Sequence, residues 1–301
     1  MDKFNIILHT TTTCNYNCSY CDVIKNNKTL SDQDIEMIVN FINKNYKSIN
    51  SFKFFGGEPL LVWKNIKYII EKTHKKINNQ FEIVTNTSIL NDEILNYFKI
   101  YFSKIFFSID SEKIFDYEEV FSFIDKYNLE DKTYFNLIIS PKKEETAYNQ
   151  FIKIYNNGYK NFNILPVYFT KNWEKENLLN LSTIMKKILD KAISDKQLKL
   201  YGFQSNKGYN SSLINGSLFI NTDLKVYFSD IVSTHIGAKI KDKLFLCDLD
   251  NLSLDEKIDM KSKTKEIEVY EKVIIKDIKG QMQLHELMDY FSKYLNNKNE
   301  L

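Results

Sequence analysis

The chain of 301 residues contains no arginine, so lysine carries all its side-chain positive charge, and the net charge is only +2. Such a balance creates no strong basic field, which leaves nucleic-acid binding without electrostatic support. Three prolines and eight glycines argue against long flexible linkers. No apolar run approaches the roughly 18 residues that a membrane-spanning helix needs, and the N-terminus lacks a basic-then-apolar signal pattern. No membrane partner is expected, and the reading places the protein in the cytoplasm. Histidine is scarce too: His9, His74, His235 and His285 share no spacing. None is assigned a catalytic role, and no general acid or base can be named.

Cysteine is also rare, at four residues, yet three of them crowd into one stretch, Cys14-Asn15-Tyr16-Asn17-Cys18-Ser19-Tyr20-Cys21. Thiols gathered like this in a reducing compartment suit a metal or a redox reaction better than disulfides. Three readings compete. A structural zinc site needs four ligands, so Cys247 or His9 would have to complete it. A thioredoxin-like Cys18/Cys21 couple leaves Cys14 unexplained. A 4Fe–4S cluster held by three thiolates leaves its fourth iron open to a further ligand.

Apolar periodicity gives an alternating chain. Phe4–His9 reads as a buried strand. Ser31 caps a helix that carries Ile35, Ile38, Val39, Ile42 and Tyr46 on one face. Phe52–Phe55, Phe81–Val84, Ile105–Ile109, Tyr134–Ile139 and Phe162–Leu165 are the next five strands. Helices lie between and after them: one carrying Trp63, Ile66, Ile70 and Ile77, one capped by Asn91, and three near residues 112–127, 144–157 and 176–195. Regular alternation with nearly continuous apolar strands means an α/β fold, a parallel sheet covered by helices, with the active site at the carboxyl ends of the strands. The unusual residues gather there: the cysteines after the first strand, Gly56-Gly57-Glu58-Pro59 after the second, and Thr85-Asn86 after the third.

From about residue 199 the pattern changes. Ser217–Ile220 and Lys225–Phe228 read as a β-hairpin. A strand at Leu244–Cys247, an apolar segment at Val273–Ile278 and a final helix with Leu284, Leu287, Met288, Phe291 and Leu295 follow. Residues 1–198 and 199–301 are therefore read as two units, the second a small α+β cap. Cys247 reads as a buried small hydrophobe.

The Cys-x3-Cys-x2-Cys spacing, with Tyr20 just before the last cysteine and Gly56-Gly57-Glu58 one strand later, resembles the radical S-adenosylmethionine (radical SAM) enzymes. The resemblance implies a partial (β/α)6 TIM-like barrel over residues 1–198. It implies one 4Fe–4S cluster on Cys14, Cys18 and Cys21, with S-adenosylmethionine (SAM) on the open iron. It also implies a low-potential electron donor, flavodoxin or ferredoxin, and reductive cleavage of SAM to a 5′-deoxyadenosyl radical that abstracts hydrogen from a substrate. By the same resemblance, Gly56, Gly57, Glu58 and Pro59 receive the SAM ammonium group, and Thr85 and Asn86 lie beside SAM. Ser108 and Asp110 close the fourth strand near it, Leu165 lies near the adenine, and Asn136 and Tyr20 are further candidates. Each has a plainer explanation: a strand-to-helix turn for the glycines, an Asx turn for Asn86, a helix cap for Asp110, a strand terminator at Leu165-Pro166 and loop packing for Tyr20.

The motif set is most similar to the peptide- and protein-modifying branch, whose members often carry a C-terminal SPASM domain. The hairpin resembles the start of such a domain, but Ser229 stands where a cysteine is expected and the auxiliary-cluster cysteines are missing. The chain begins at its first strand, so no N-terminal peptide-recognition module is expected. A peptide or protein side chain is the first expected substrate, and a small metabolite or nucleotide the second. A non-catalytic metal-binding regulatory or scaffold protein is the alternative of another class.

Overall fold

The strands are rich in Ile and Phe, residues that suit a pleated surface, and they pair almost in chain order. The computed structural model describes residues 3–112, 115–169, 171–201, 217–254, 258, 276 and 278–299. The Val273–Ile278 segment lies largely outside them. Strands β1 (Phe4–Thr11), β2 (Ile49–Gly56), β3 (Phe81–Thr85), β4 (Phe102–Ile109), β5 (Thr133–Ile139), β6 (Asn161–Pro166) and β7 (Lys199–Tyr201) run parallel. Helices α1 (Asp32–Asn45), α2 (Trp63–Thr73), α3 (Asp92–Tyr101), α4 (Tyr117–Tyr127), α5 (Glu144–Asn156) and α6 (Lys175–Ser194) connect them. This is the expected α/β architecture, a partial barrel built on a parallel sheet.

Local chemistry sets the helix starts. Ser31 and Asp34 form a reciprocal capping box at α1, Asn91 accepts from the Ile94 amide at α3, and Asp116 accepts from Glu119 at α4. The Asp116 cap starts α4 five residues later than the periodicity predicts. Helix α2 ends at Thr73, and Ile77 is instead buried in the turn that follows, where the Lys76 and Ile77 amides fold back onto the Thr73 carbonyl. Strand β7 was not expected; at three residues it is too short to show a period.

The predicted hairpin is present as β8 (Ser217–Ile220) and β9 (Lys225–Tyr227), with β10 (Phe245–Asp248) antiparallel to β9. Strand β8 lies parallel to β1, so these three strands extend the sheet, whose order is β10-β9-β8-β1-β2-β3-β4-β5-β6-β7. The sheet is strongly curled. Strands β2 and β7 are five places apart, about 24 Å in a flat sheet, yet the Lys53 ammonium lies 6.0 Å from the Tyr201 ring centroid.

Curling gives the sheet two different faces. Residues on the convex face, among them Phe52, Phe54, Phe81, Phe107, Phe135 and Phe162, are fully buried and form the core under the helices. The register places Lys53, Glu82, Lys104, Phe106, Ser108, Tyr134, Asn136, Asn163 and Tyr201 on the opposite, concave face. No helix among the described residues is long and apolar enough to cross a membrane.

Candidate functional site

The cysteine loop leaves the carboxyl end of β1 and lies directly against the exit of β2. The Gly57 amide donates to the Thr11 carbonyl at 2.8 Å and the Glu58 amide to the Thr13 carbonyl at 2.9 Å. A side chain at Gly57 would place its Cβ 2.2 Å from the Thr13 oxygen, and one at Gly56 would come 2.4 Å from the Thr11 oxygen. The two glycines thus let the root of the cysteine loop touch β2, a reason for them besides any ligand. Glu58 is only 1% exposed and turns its carboxylate inward. It accepts from the Leu60 amide at 3.0 Å, the Thr85 hydroxyl at 2.8 Å and the Asn86 amide at 2.7 Å. Pro59 follows as the first residue of a short 3₁₀ turn, where a missing N–H costs nothing. Glu58, Thr85 and Asn86 therefore form one hydrogen-bonded unit between the ends of β2 and β3.

Asn86 continues that unit to the cysteine loop. Its amide donates to Asn15 Oδ1 at 2.9 Å and approaches Cys14 Sγ at 4.0 Å, while Asn15 donates to the Ser88 hydroxyl at 2.7 Å. The Tyr16 amide donates to Cys14 Sγ at 3.4 Å. At the far end of the loop the Tyr20 hydroxyl donates to Asp110 Oδ2 at 2.6 Å, and Glu112 accepts from the amide and hydroxyl of Ser19. Burial first, then the Asp110 carboxylate and the Cys18 thiol, raise the Tyr20 hydroxyl well above its ordinary range, so it stays protonated. Beyond Cys21, the Asp22 carbonyl and carboxylate accept from the amides of His235 and Ile236, and Ile24 donates to Ser233.

None of the four cysteines is in a disulfide; Cys14 and Cys18 are half-buried and Cys21 is exposed. Among the described residues, no three Cys, His, Asp or Glu side chains stand close enough together to hold a metal ion. One short loop carries the three thiols, but drawing them into a single ligand set needs local rearrangement. Their chemistry still fits an iron–sulfur centre: three soft donors on one loop, with backbone and side-chain amides directed at Cys14 sulfur. Cys247 is half-buried on β10, and burial, then Asp248, raises its thiol above the usual range. His9 is fully buried at the end of β1, 3.2 Å from Asn221 Oδ1, and burial lowers its pKa to about 4. A neutral, enclosed imidazole suits packing.

The remaining candidates line the concave face. Ser108 pairs in register with Asn136, and Asn136 with Asn163, whose amide donates to Asn136 Oδ1 at 3.0 Å. Leu165 is half-buried near the end of β6. Sequence reasoning missed a deeper feature. Glu82, 3% exposed, bridges Lys53 at 3.1 Å and Lys104 at 3.0 Å, so three neighbouring strands share one carboxylate. Lys53 also lies 4.6 Å from the Phe106 ring centroid, and Lys104 lies 5.3 Å from that of Tyr201. The available signal was one charge inside each apolar run: Phe52-Lys53-Phe54, Phe81-Glu82-Ile83 and Ser103-Lys104-Ile105. Asp230, just after β9, is held toward its protonated form by burial, opposed in part by Lys53. Nothing in its sequence neighbourhood pointed to it.

Residues 8–134, which include the cysteine loop, Gly56-Gly57-Glu58, Thr85-Asn86 and Asp110, match the Radical SAM superfamily. That span, less than half of the chain, is similar to a radical SAM domain. Over 117 residues it is 35% identical to an uncharacterized protein, MJ0907, of Methanocaldococcus jannaschii, covering 37% of this chain and 40% of that one. It is 31% identical over 118 residues to the radical SAM cyclopropyl synthase TigE of Paramaledivibacter caminithermalis, covering 33% of this chain and 25% of TigE. The match therefore spans less than half of either relative. Among solved structures, native anSMEcpe with bound AdoMet and Kp18Cys peptide superposes with a TM-score of 0.70 over 99% of both chains at 12% identity. Streptococcus suis SuiB bound to its precursor peptide SuiA gives 0.60 over 84% of this chain and 64% of SuiB, at 12% identity. Identities this low establish the shared fold.

Proposed function

We propose that this protein is a radical SAM enzyme that modifies a peptide or protein side chain. Cys14, Cys18 and Cys21 would hold one 4Fe–4S cluster, and the rim formed by Gly56–Pro59, Thr85–Asn86 and Ser108 would receive SAM. Bound there, cluster and SAM would supply one-electron and hydrogen-abstraction chemistry, with a flavodoxin or ferredoxin as the electron donor. The chain's own part is positional. Glu58 fixes the β2 and β3 exits relative to each other, the glycines bring the cysteine loop onto them, and Asn86 reaches toward Cys14. Below the rim, the concave face would receive the substrate, with Ser108, Asn136 and Asn163 offering hydrogen bonds that orient it.

One observation carries the reading: within the matched span, the cysteine loop and Gly-Gly-Glu are hydrogen-bonded to each other. A peptide substrate is supported by the names of the similar structures, two of which contain peptides. The test is anaerobic reconstitution with iron and sulfide, then incubation with SAM and dithionite, assaying 5′-deoxyadenosine beside a Cys18→Ala variant. A brown wild type that releases 5′-deoxyadenosine, and a variant that does not, is the expected result. A colourless, zinc-loaded wild type would overturn the proposal. Mass spectrometry of short peptides encoded beside the gene then tests the substrate class. Turnover of small metabolites with no peptide mass change would contradict that part.

A further inference from the structure

We propose that Asp110 is a positioning residue for the cysteine loop, acting through the Tyr20 hydroxyl, and that it is not a SAM contact. This inference rests on the reading of Cys14, Cys18 and Cys21 as cluster ligands. Asp110 is 1% exposed, and its carboxylate is engaged on both sides. Oδ2 accepts from Tyr20 at 2.6 Å, and Oδ1 accepts from the Glu112 amide at 2.8 Å. The Gln150 side chain donates to the Asp110 carbonyl at 3.2 Å, which fixes its backbone from helix α5. Tyr20 sits between two of the thiols, so the position of its ring sets the path of the Cys18–Cys21 segment.

A second set of contacts holds the same segment from outside. Glu112, placed by its amide bond to Asp110, accepts from the Ser19 amide and hydroxyl. The Lys171 ammonium donates to Ser19 Oγ at 2.9 Å, and the Lys171 carbonyl accepts from Gln281 at 3.0 Å. Gln281, fully buried, begins the C-terminal helix Gln281–Asn299, whose preceding turn packs so closely on Trp173 that only Gly280 fits. The β4 exit and the chain's last helix thus converge on the residues between Cys18 and Cys21. Asn86 and Asn15 secure Cys14 separately. The loop has two independent moorings, and Asp110 serves the second.

The test compares Tyr20→Phe, Asp110→Ala and the double variant in the full chain. Amide hydrogen exchange of the peptide spanning residues 15–22 is followed in the metal-free protein, with exchange in α1 as the control for global folding. Tyr20→Phe loses one hydrogen bond to a buried carboxylate and is expected to speed exchange in that peptide about tenfold; Asp110→Ala, which also loses the Glu112 amide bond, should speed it at least as much, and the double variant no further than Asp110→Ala. In reconstituted protein, both single variants should shift the electron paramagnetic resonance line of the reduced cluster alike and speed iron loss to a chelator. Asp110→Asn, whose one oxygen can accept from Tyr20 only by turning its NH₂ group toward the Glu112 amide, should restore part of the wild-type exchange. Unchanged exchange in Tyr20→Phe overturns the proposal, as does an Asp110→Ala variant that weakens SAM binding while exchange stays at the wild-type rate. If the wild type takes up no cluster, the function reading fails, while the exchange measurement still decides the mooring.

Discussion

Replacing Glu58 by Gln keeps its shape and removes its charge. One carboxylate oxygen becomes an NH₂ group, which must then face a donor. The less costly orientation puts that group toward the Asn86 amide, because the other oxygen accepts from both Leu60 and Thr85. A hydrogen bond to a charged acceptor contributes about 2 kcal/mol, and the two that survive fall to about half strength once the acceptor is neutral. Relief from burying a charge offsets part of the loss, leaving a net cost of about 3 kcal/mol. Glu58→Ala loses all three bonds and leaves a void, for about 4–5 kcal/mol. Thr85→Val removes the bond to Glu58 and the one its hydroxyl accepts from the Thr87 amide, and should cost about 2 kcal/mol alone but less in the Glu58→Gln background, because one of the two bonds is made to Glu58 itself. Urea unfolding of metal-free, SAM-free protein measures all of these. A Glu58→Gln protein within about 0.5 kcal/mol of wild type would refute the account of Glu58 as the tie between two strand ends. Its role would then lie wholly with a ligand.

Gly57→Ala should drive the new methyl against the Thr13 carbonyl and push the cysteine loop off β2, costing about 2–3 kcal/mol. Iron per chain after reconstitution should fall with it, and full iron loading would contradict the packing argument. His9 has a folded pKa of about 4 against 6.5 unfolded, so between those values the unfolded state binds the extra proton. Stability should therefore fall as pH drops from 6.5 toward 4, by about 3 kcal/mol in all. His9→Gln should flatten that part of the unfolding profile, and an unaltered slope would remove His9 as its source. Glu82→Gln strips the shared partner from two lysines that are 19% and 32% exposed, and should destabilise by about 2–3 kcal/mol. Denaturation of the ligand-free protein reads this directly, and a neutral result would mean that water already screens both ammoniums.

Local signals were legible wherever one residue decides the matter alone. Ser31 and Asn91 cap the helices assigned to them, and the five strands from Phe52 to Leu165 appear where apolar runs placed them. What escaped depends on partners distant in the chain. The hairpin at 217–227 was readable from its alternation, but its seat beside β1 is fixed by a pairing between Leu218 and Ile6 that no local pattern encodes. Glu58, Thr85 and Asn86 each stood out by motif, while their mutual hydrogen bonds emerge only when the β2 and β3 ends adjoin. Lys53, Glu82 and Lys104 look like stray charges along the chain and become one ionic bridge only through register.

The place of β8 bears on how the nascent polypeptide matures. Strand β8, the second neighbour of β1, is synthesised some 200 residues after it, and Asp22 and Ile24 wait equally long for residues 233–236. Until then β1 presents a bare edge, a template for unwanted pairing between chains. Chains stopped after β7 should therefore aggregate.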